Sequence, residues 1–148
     1  MKTDSRLSGV LHAILHMAQT NVPMTSEALA RCMSTHAVVV RRTMGLLRDA
    51  GLVAANRGHG GGWRIAADLS KVTLRNLHEA LGEPALFAVG NRSEHPDCLV
   101  EQVVNTALDS AFADAEALLM SRFESVTLAE LAAEFARRHG AHHAGVPK

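Results

Sequence analysis

The sequence is poor in aromatic residues, and it has no long uninterrupted hydrophobic run. Aromatic residues make up 3% of the 148 residues and Tyr is absent, whereas hydrophobic residues make up 47%. Abundant Ala and Leu with few aromatics favour packed helices over a sheet sandwich. The length suits one domain, or a small domain with an extension. We therefore expect a mainly α fold.

Cysteine is also scarce, with only Cys32 and Cys98 present. Two thiols are too few for a disulfide framework or for a four-thiolate metal site. The N-terminal residues lack the apolar core of a signal peptide, since His12 and His16 interrupt it, and no apolar run approaches a membrane span. The sequence therefore predicts a cytoplasmic protein with no membrane partner and no metal site.

The chain as a whole has no excess of positive or negative charge, but each of its two halves does. The net charge is zero, yet residues 1–66 contain eight basic and three acidic residues, a net charge of +5, and the remaining residues carry −5. A strongly basic region is typical of proteins that bind an anionic partner. We therefore expect an anionic partner for the first half of the chain.

The helical spacing of apolar residues predicts three helices before Gly51. The second, at residues 26–33, follows Thr25 as N-cap, and the third ends near Gly51, which supplies a C-terminal stop. The inner face of the third helix would consist of Val40, Met44 and Leu47. Two short helices about three residues apart, the second of them basic, are typical of a helix-turn-helix.

The segment RGHGGGWRIA, residues 57–66, holds four glycines in five positions and raises three alternatives: a phosphate-binding loop, a flexible linker or the tip of a β-hairpin. A phosphate loop opens a helix and carries Lys and then Ser or Thr after its glycines, whereas Trp63 and Arg64 follow here. Flexible linkers rarely carry Trp and Arg at their edges. The short extended runs on both sides predict a hairpin, which after a helix-turn-helix is a wing. The segment alone leaves open whether the tip contacts a groove or is a solvated turn; the tip glycines are Gly58, Gly60, Gly61 and Gly62.

The stretch VVVRRTMGLLRDAGLVAANRGHGGGWRIA, residues 38–66, resembles the Rrf2 (Rrf-two) family of winged helix-turn-helix transcription regulators. The resemblance is carried by the Val-Arg-Arg run, the Arg-x-Ala-Gly-Leu-Val helix end and the Arg-Gly-x-Gly-Gly wing, and it extends in weaker form over most of the chain. It implies that double-stranded DNA is the anionic partner. It also implies which residues contact DNA, namely His36, Val38, Arg41 and Arg42 on the third helix and Arg57 in the wing.

Each of these residues is expected to make a different kind of contact with DNA. Arg41 would read guanine O6 and N7, and Arg42 would read a base or hold a phosphate. His36 would contact a phosphate or a base, and Val38 would offer apolar contact to a thymine methyl. Two further residues, Arg6 and Arg64, are expected to hold the DNA backbone. For any single arginine, simple solvation of a helix face remains an alternative.

Beyond the wing, the pattern predicts a short helix after Thr73, a loop, a long helix and a last helix. The long helix begins at Asp97 as N-cap and spans roughly 40 Å. Its apolar stripe is too long to be covered by so small a winged helix, which predicts a second subunit. The last helix begins at Thr127, with Glu130 completing a capping box, and ends before Gly140.

We expect three segments: a winged helix-turn-helix DNA-binding domain over residues 1–83, an effector loop and dimerisation helices over residues 84–140, and a disordered tail over residues 141–148. A homodimer would read a palindromic site whose half-sites lie about one helical turn, roughly 34 Å, apart. The predicted function is a sequence-specific, homodimeric transcription regulator. The resemblance implies repression, because the family mostly represses.

The resemblance also raises the question of an iron–sulfur cluster, which several family members hold through three closely spaced cysteines. This sequence has only Cys98 in the corresponding region, so we expect no cluster and no other cofactor, although His95 keeps metal ligation conceivable. A thiol at a helix N-terminus beside His95 could be a redox sensor. A small, partly buried hydrophobic residue is the alternative for Cys98, and it is favoured for Cys32.

The sequence also bears on two other classes of function. An enzyme is not expected, because the sequence has no Ser/His/Asp order, no HExxH, and no Pro-Cys-His-Arg motif of a winged-helix alkyl transferase. The alternative function is a winged-helix protein-protein adaptor without sequence-specific DNA binding. An adaptor does not need a basic face formed by Arg41, Arg42 and Arg57, and its binding would lack a steep salt dependence.

Overall fold

The structure is a computed structural model that describes residues 4–87, 91 and 97–144. These residues form helices and one two-stranded sheet, which confirms the mainly α fold. The elements are α1 (Arg6–Ala18), α2 (Ser26–Met33), α3 (Ala37–Asp49), β1 (Val53–Asn56), β2 (Gly62–Ile65), a 3-10 turn (Leu69–Lys71), α4 (Leu74–Ala80), α5 (Leu99–Glu124) and α6 (Leu128–Ala144). None of the helices in the described part of the chain is long and apolar enough to cross a bilayer.

The first three helices pack around a core of aliphatic side chains. The inner face expected for α3 is confirmed, since Val40, Met44 and Leu47 are fully buried. The Thr25 hydroxyl accepts a hydrogen bond from the Ala28 amide at 3.1 Å and caps α2 as expected. Other core residues come from α1, α2, the wing and α4, and include Val10, Ile14, Leu29, Val53, Trp63, Leu77 and Leu81.

The glycine-rich segment is the tip of a hairpin, as predicted. Strands β1 and β2 are antiparallel, with Val53 opposite Ile65 and Asn56 opposite Gly62. The hairpin is also joined to the residue before α2, because Met24 and Trp63 exchange backbone hydrogen bonds of 2.9 and 2.8 Å. This arrangement is a winged helix-turn-helix.

The C-terminal helices return to the winged helix. Backbone hydrogen bonds join the Leu74 amide to the Val126 carbonyl and the Leu128 amide to the Val72 carbonyl, at 3.0 and 2.8 Å. Leu128 is 1% exposed and belongs to the common core. The capping box expected at the start of α6 is present, since Thr127 and Glu130 exchange side-chain to backbone hydrogen bonds.

Two helix ends differ from the prediction. The N-cap of α5 is Cys98, one residue after the expected Asp97. Helix α6 does not end before Gly140 but continues to Ala144, into the segment expected as a tail from residue 141. A glycine weakens a helix interior by only about 1 kcal/mol relative to Ala, which does not suffice to end this helix. Most of the predicted loop, at residues 88–90 and 92–96, and residues 145–148 lie outside the described residues.

The close approach of β2 to the backbone before α2 predicts that Gly62 tolerates no side chain. Its φ is +151°, and an added Cβ would lie 2.6 Å from the Met24 carbonyl oxygen. Gly62→Ala should therefore lower the free energy of unfolding by about 1–3 kcal/mol. Urea unfolding followed by circular dichroism measures the change.

The matched control is Gly45→Ala in the interior of α3, where an added Cβ meets no atom within 4 Å. This substitution should raise the free energy of unfolding by about 0.5–1 kcal/mol, because Ala loses less backbone entropy than Gly. Equal stability of Gly62→Ala and the unchanged protein would contradict the close approach.

Candidate nucleic-acid interface

The exposed side of α3 carries the residues expected to contact DNA. His36 is the N-cap of α3 and is exposed, and Val38 is 65% exposed although it is apolar. Arg41 and Arg42 follow on the next turn and are also exposed. Because the opposite side of the helix is packed into the core, these four side chains project outward from a rigid support.

Arg41 is held by an acidic residue that the sequence analysis did not single out. Its Nη2 atom lies 2.8 Å from the Glu27 Oε1 atom, and both side chains are more than half exposed. Exposed ion pairs of this kind contribute about 0–1 kcal/mol. Glu27 therefore orients the guanidinium group without binding it strongly. The sequence shows an acidic residue, Glu27, in the first turn of α2. Because 14 positions separate Glu27 from Arg41, no local spacing rule pairs the two residues.

The glycine tip presents backbone and one arginine to solvent. Gly58 and Gly60 have φ values of +89° and +74°, a region that L-residues rarely adopt. The Gly61 amide donates to the Gly58 carbonyl oxygen at 3.0 Å and closes the turn. Arg57 is exposed at the base of this turn. A strand rather than a helix follows the glycines, so the alternative of a phosphate-binding loop is excluded.

The remaining candidate arginines have partners of their own. Arg6 binds Asp4 in a forked pair with a shortest distance of 2.7 Å. The side-chain hydrogen bond from Arg6 lowers the pKa of the Asp4 carboxyl group below its ordinary value. In the wing, Arg64 Nε donates to Asn56 Oδ1 at 3.2 Å. Arg6 lies at the start of α1, and Arg64 lies on β2.

Two candidate arginines are unpaired. Over residues 4–87, 91 and 97–144, neither Arg42 nor Arg57 has a side-chain hydrogen bond or an ion pair. Unpaired, exposed guanidinium groups are available to phosphates and base edges without first breaking an internal contact. The two lie on the two elements, α3 and the wing, with which winged helices bind DNA.

Cys98 lies outside this surface, at the N-terminus of α5. Its side chain is exposed, and backbone hydrogen bonds from the amides of Glu101 and Val100 lower the pKa of its thiol below the ordinary value. A lowered thiol pKa increases the fraction of nucleophilic thiolate near neutral pH. Cys32 is half-buried in α2. His95, the other residue considered for this region, lies outside the described residues.

Comparison with known proteins identifies regulators as relatives. Residues 3–134 match the Rrf2 family, which is described as an iron-dependent transcriptional regulator. YwnA of Bacillus subtilis (strain 168), a candidate HTH-type transcriptional regulator, is 28% identical over 129 residues, which cover 86% of this chain and 95% of YwnA.

Solved structures of regulators have a similar fold. IscR of T. potens has a TM-score of 0.64 at 17% identity, with 100% of this chain and 93% of that chain covered. CymR (YrzC), the global cysteine regulator of B. subtilis, has a TM-score of 0.63 at 19% identity, with 90% and 98% covered. The winged helix-turn-helix fold is thereby confirmed. The matching family and relative are regulators, which confirms that the chain is not an enzyme.

Proposed function

The chain belongs to the Rrf2 family of transcriptional regulators and is a DNA-binding regulator, and from this premise we propose that it acts in the cytoplasm as a homodimeric repressor on a palindromic operator. The observation that carries the proposal is the exposed side of α3, where Val38, Arg41 and Arg42 project from a helix whose inner face is fully buried. We infer repression because most members of the family are repressors. A dimer seated on an operator excludes other proteins from the same DNA.

The residues on α3 are assigned to the major groove. Arg41 reads guanine through O6 and N7, and Arg42 reads a base or binds a phosphate. His36, at the start of the helix, contacts a phosphate or a base. Val38 packs against a thymine methyl group, which accounts for a large apolar side chain kept 65% exposed.

The wing and α1 are assigned to the DNA backbone and the minor groove. Arg57 enters the minor groove beside the glycine tip, where the absence of side chains lets the backbone come close. Arg64 and Arg6 bind phosphates. Each must exchange a contact within the protein, with Asn56 and Asp4 respectively, for the contact with DNA.

The specificity of α3 gives the first test of this function. Binding sites selected from a random duplex pool should form a palindrome, and the affinity should fall steeply with salt. Arg41→Ala should lower the preference at one base pair of each half-site by about 1–3 kcal/mol. Arg48→Ala is the matched control, since Arg48 is an exposed arginine two turns further along α3 and pairs with Asp49.

Two outcomes would overturn the assignment. Full base preference in Arg41→Ala would remove Arg41 from the recognition surface. Failure of the unchanged protein to enrich any sequence, together with weak salt dependence, would favour the adaptor alternative over a regulator that reads DNA directly.

The dimer rests on the exposed apolar stripe of α5. Helix α5 has 26 residues and none of them is buried, and at about 1.5 Å per residue it is roughly 39 Å long. Val100 and Leu118 are 71% and 69% exposed, and Val103, Val104 and Leu108 are exposed as well. So large an apolar surface is typical of an interface, and a two-fold symmetric pair of α5 helices covers it with the same stripe of the partner.

A charge on this stripe should dissociate the dimer. Ala111 lies on the apolar side of α5, and Ala113 is about 200° around the helix from it, on the opposite side. Ala111→Glu should raise the dimer dissociation constant by roughly a hundredfold or more, because an unpaired carboxylate buried at an interface costs several kcal/mol. Ala113→Glu makes the same chemical change and should leave the dimer intact.

Sedimentation equilibrium of the two variants and the unchanged protein measures the difference. A monomeric unchanged protein at micromolar concentration, or equal dissociation constants for the two variants, would contradict an α5 interface.

The iron implied by the family does not fit this chain as an iron–sulfur cluster. The whole sequence has two cysteines, one in α2 and one at the N-cap of α5, and among the described residues no group of three potential ligands could hold a metal ion. We propose that this member works without a cluster and that Cys98 supplies the response to oxidants. Its exposed thiol and lowered pKa favour oxidation to a sulfenic acid at the start of the dimer helix.

Replacement of Cys98 tests the response. Hydrogen peroxide should weaken operator binding of the unchanged protein by roughly 5- to 150-fold, the usual range of coupling between two sites, and Cys98→Ser should abolish this loss. Cys32→Ser, which changes the half-buried thiol, is the control and should retain the response. Operator affinity before and after oxidation measures both. An undiminished response in Cys98→Ser would eliminate Cys98 as the sensor.

A further inference from the structure

Two histidines on α1 form a close pair that the DNA-binding function does not use. His12 and His16 lie one helical turn apart, and their Nε2 atoms are 3.0 Å from each other. The ring centroids are 4.8 Å apart with an interplanar angle of 22°. Because the nitrogens are closer together than the centroids, the two rings converge at their Nε2 ends.

We propose that His12 and His16 form a chelating site for a divalent late transition metal ion of the Cu²⁺ or Ni²⁺ type. Histidines at positions i and i+4 of a helix place two imidazole nitrogens on one face, the spacing with which helices bind metal ions. Imidazole nitrogen is a preferred ligand of both ions. The convergence of the two Nε2 atoms supplies the common point at which an ion would sit.

The metal-free distance between the nitrogens, which is that of a hydrogen bond between the rings, is close to the span of two adjacent positions in a square-planar or octahedral site. Two nitrogens 3.0 Å apart subtend an angle of about 90° at a metal ion roughly 2.1 Å from each. A tetrahedral Zn²⁺ site would need them about 3.4 Å apart. Adjacent positions of a square-planar or octahedral site fit better, and these geometries favour Cu²⁺ and Ni²⁺, which also bind nitrogen sites more tightly than Fe²⁺ does. The site therefore differs in chemistry from the iron of the family description.

Helix α6 restricts the inner histidine. The His16 ring lies edge-on to Phe135, with centroids 5.9 Å apart, and is half-buried, whereas His12 is exposed. His16 is thus held in place while the outer side of the pair stays open to water. Since no third histidine, cysteine or carboxylate completes the group within the described residues, water molecules fill the other coordination positions. With the ion bound, each ring carries its proton on Nδ1.

Nickel titration of the whole protein tests the site. The protein should carry no histidine tag and should be treated with a chelator before calorimetric titration with NiCl₂. We expect one Ni²⁺ per chain. His12→Gln and His16→Gln should each weaken binding by roughly tenfold or more, at least the usual loss from removing an outer-shell partner, because each removes one of the two ligands. Circular dichroism without metal should show both variants folded.

Two controls separate this site from the other histidines. His59→Gln alters an exposed histidine of the wing, and His142→Gln with His143→Gln alters the C-terminal pair; both variants should bind Ni²⁺ as the unchanged protein does. The Cu²⁺ form should show coupling to two nitrogens in its electron paramagnetic resonance spectrum, and to one in each α1 variant. Absence of Ni²⁺ binding, binding that survives in both α1 variants, or binding lost in the C-terminal variant would overturn the proposal.

Discussion

The junction of the wing with the start of α2 is the constraint on which the proposed DNA-binding surface depends. Trp63, 8% exposed, exchanges two backbone hydrogen bonds with Met24, and its indole Nε1 donates to Ser26 Oγ at 3.0 Å. The chain has a single tryptophan, and it is used at the point where the hairpin meets the helix-turn-helix. Because this junction sets the position of α2, and α3 packs on α2, the wing and α3 are held relative to each other without DNA.

The ion pair between Glu27 and Arg41 also depends on this junction. Glu27 lies in the first turn of α2, one residue after Ser26, so the junction that fixes the wing also fixes the carboxylate that holds Arg41. An exposed ion pair contributes about 0–1 kcal/mol, whereas a good bidentate contact to a base is worth about 1–3 kcal/mol. In the proposed interface, the protein can therefore preorganise Arg41 and still release it to DNA.

The sequence predicts features that follow from apolar periodicity or from neighbouring residues. It does not predict contacts between side chains that are far apart in the sequence. The buried face of α3 and the caps at Thr25 and Thr127 follow from spacing rules that act within one or two turns. The hairpin follows from two extended runs around glycines. The Glu27–Arg41 pair could not be predicted, because apolar periodicity indicates which face is buried but not which side chains meet on the exposed face. The continuation of α6 through Gly140 could not be predicted, because a glycine is also the usual residue at which a helix ends.

Helix α5 is the element through which the proposed oxidation of Cys98 would reach the proposed DNA-binding surface. Its C-terminal end is anchored, since Arg75 of α4 binds Glu124 at 3.1 Å and the His78 ring of α4 lies against Phe123. His78 also donates from Nε2 to the Pro84 carbonyl oxygen at 2.9 Å, which ties the chain leaving α4 to the same place. No comparable burial holds α5 along its length. In the proposed dimer, a change at its N-terminus would therefore act through the packing of α5 against the second subunit, as a rotation of two rigid winged helices. Because half-sites are read at a fixed spacing, even a small rotation of that kind would uncouple one recognition helix from the operator while leaving each winged helix intact.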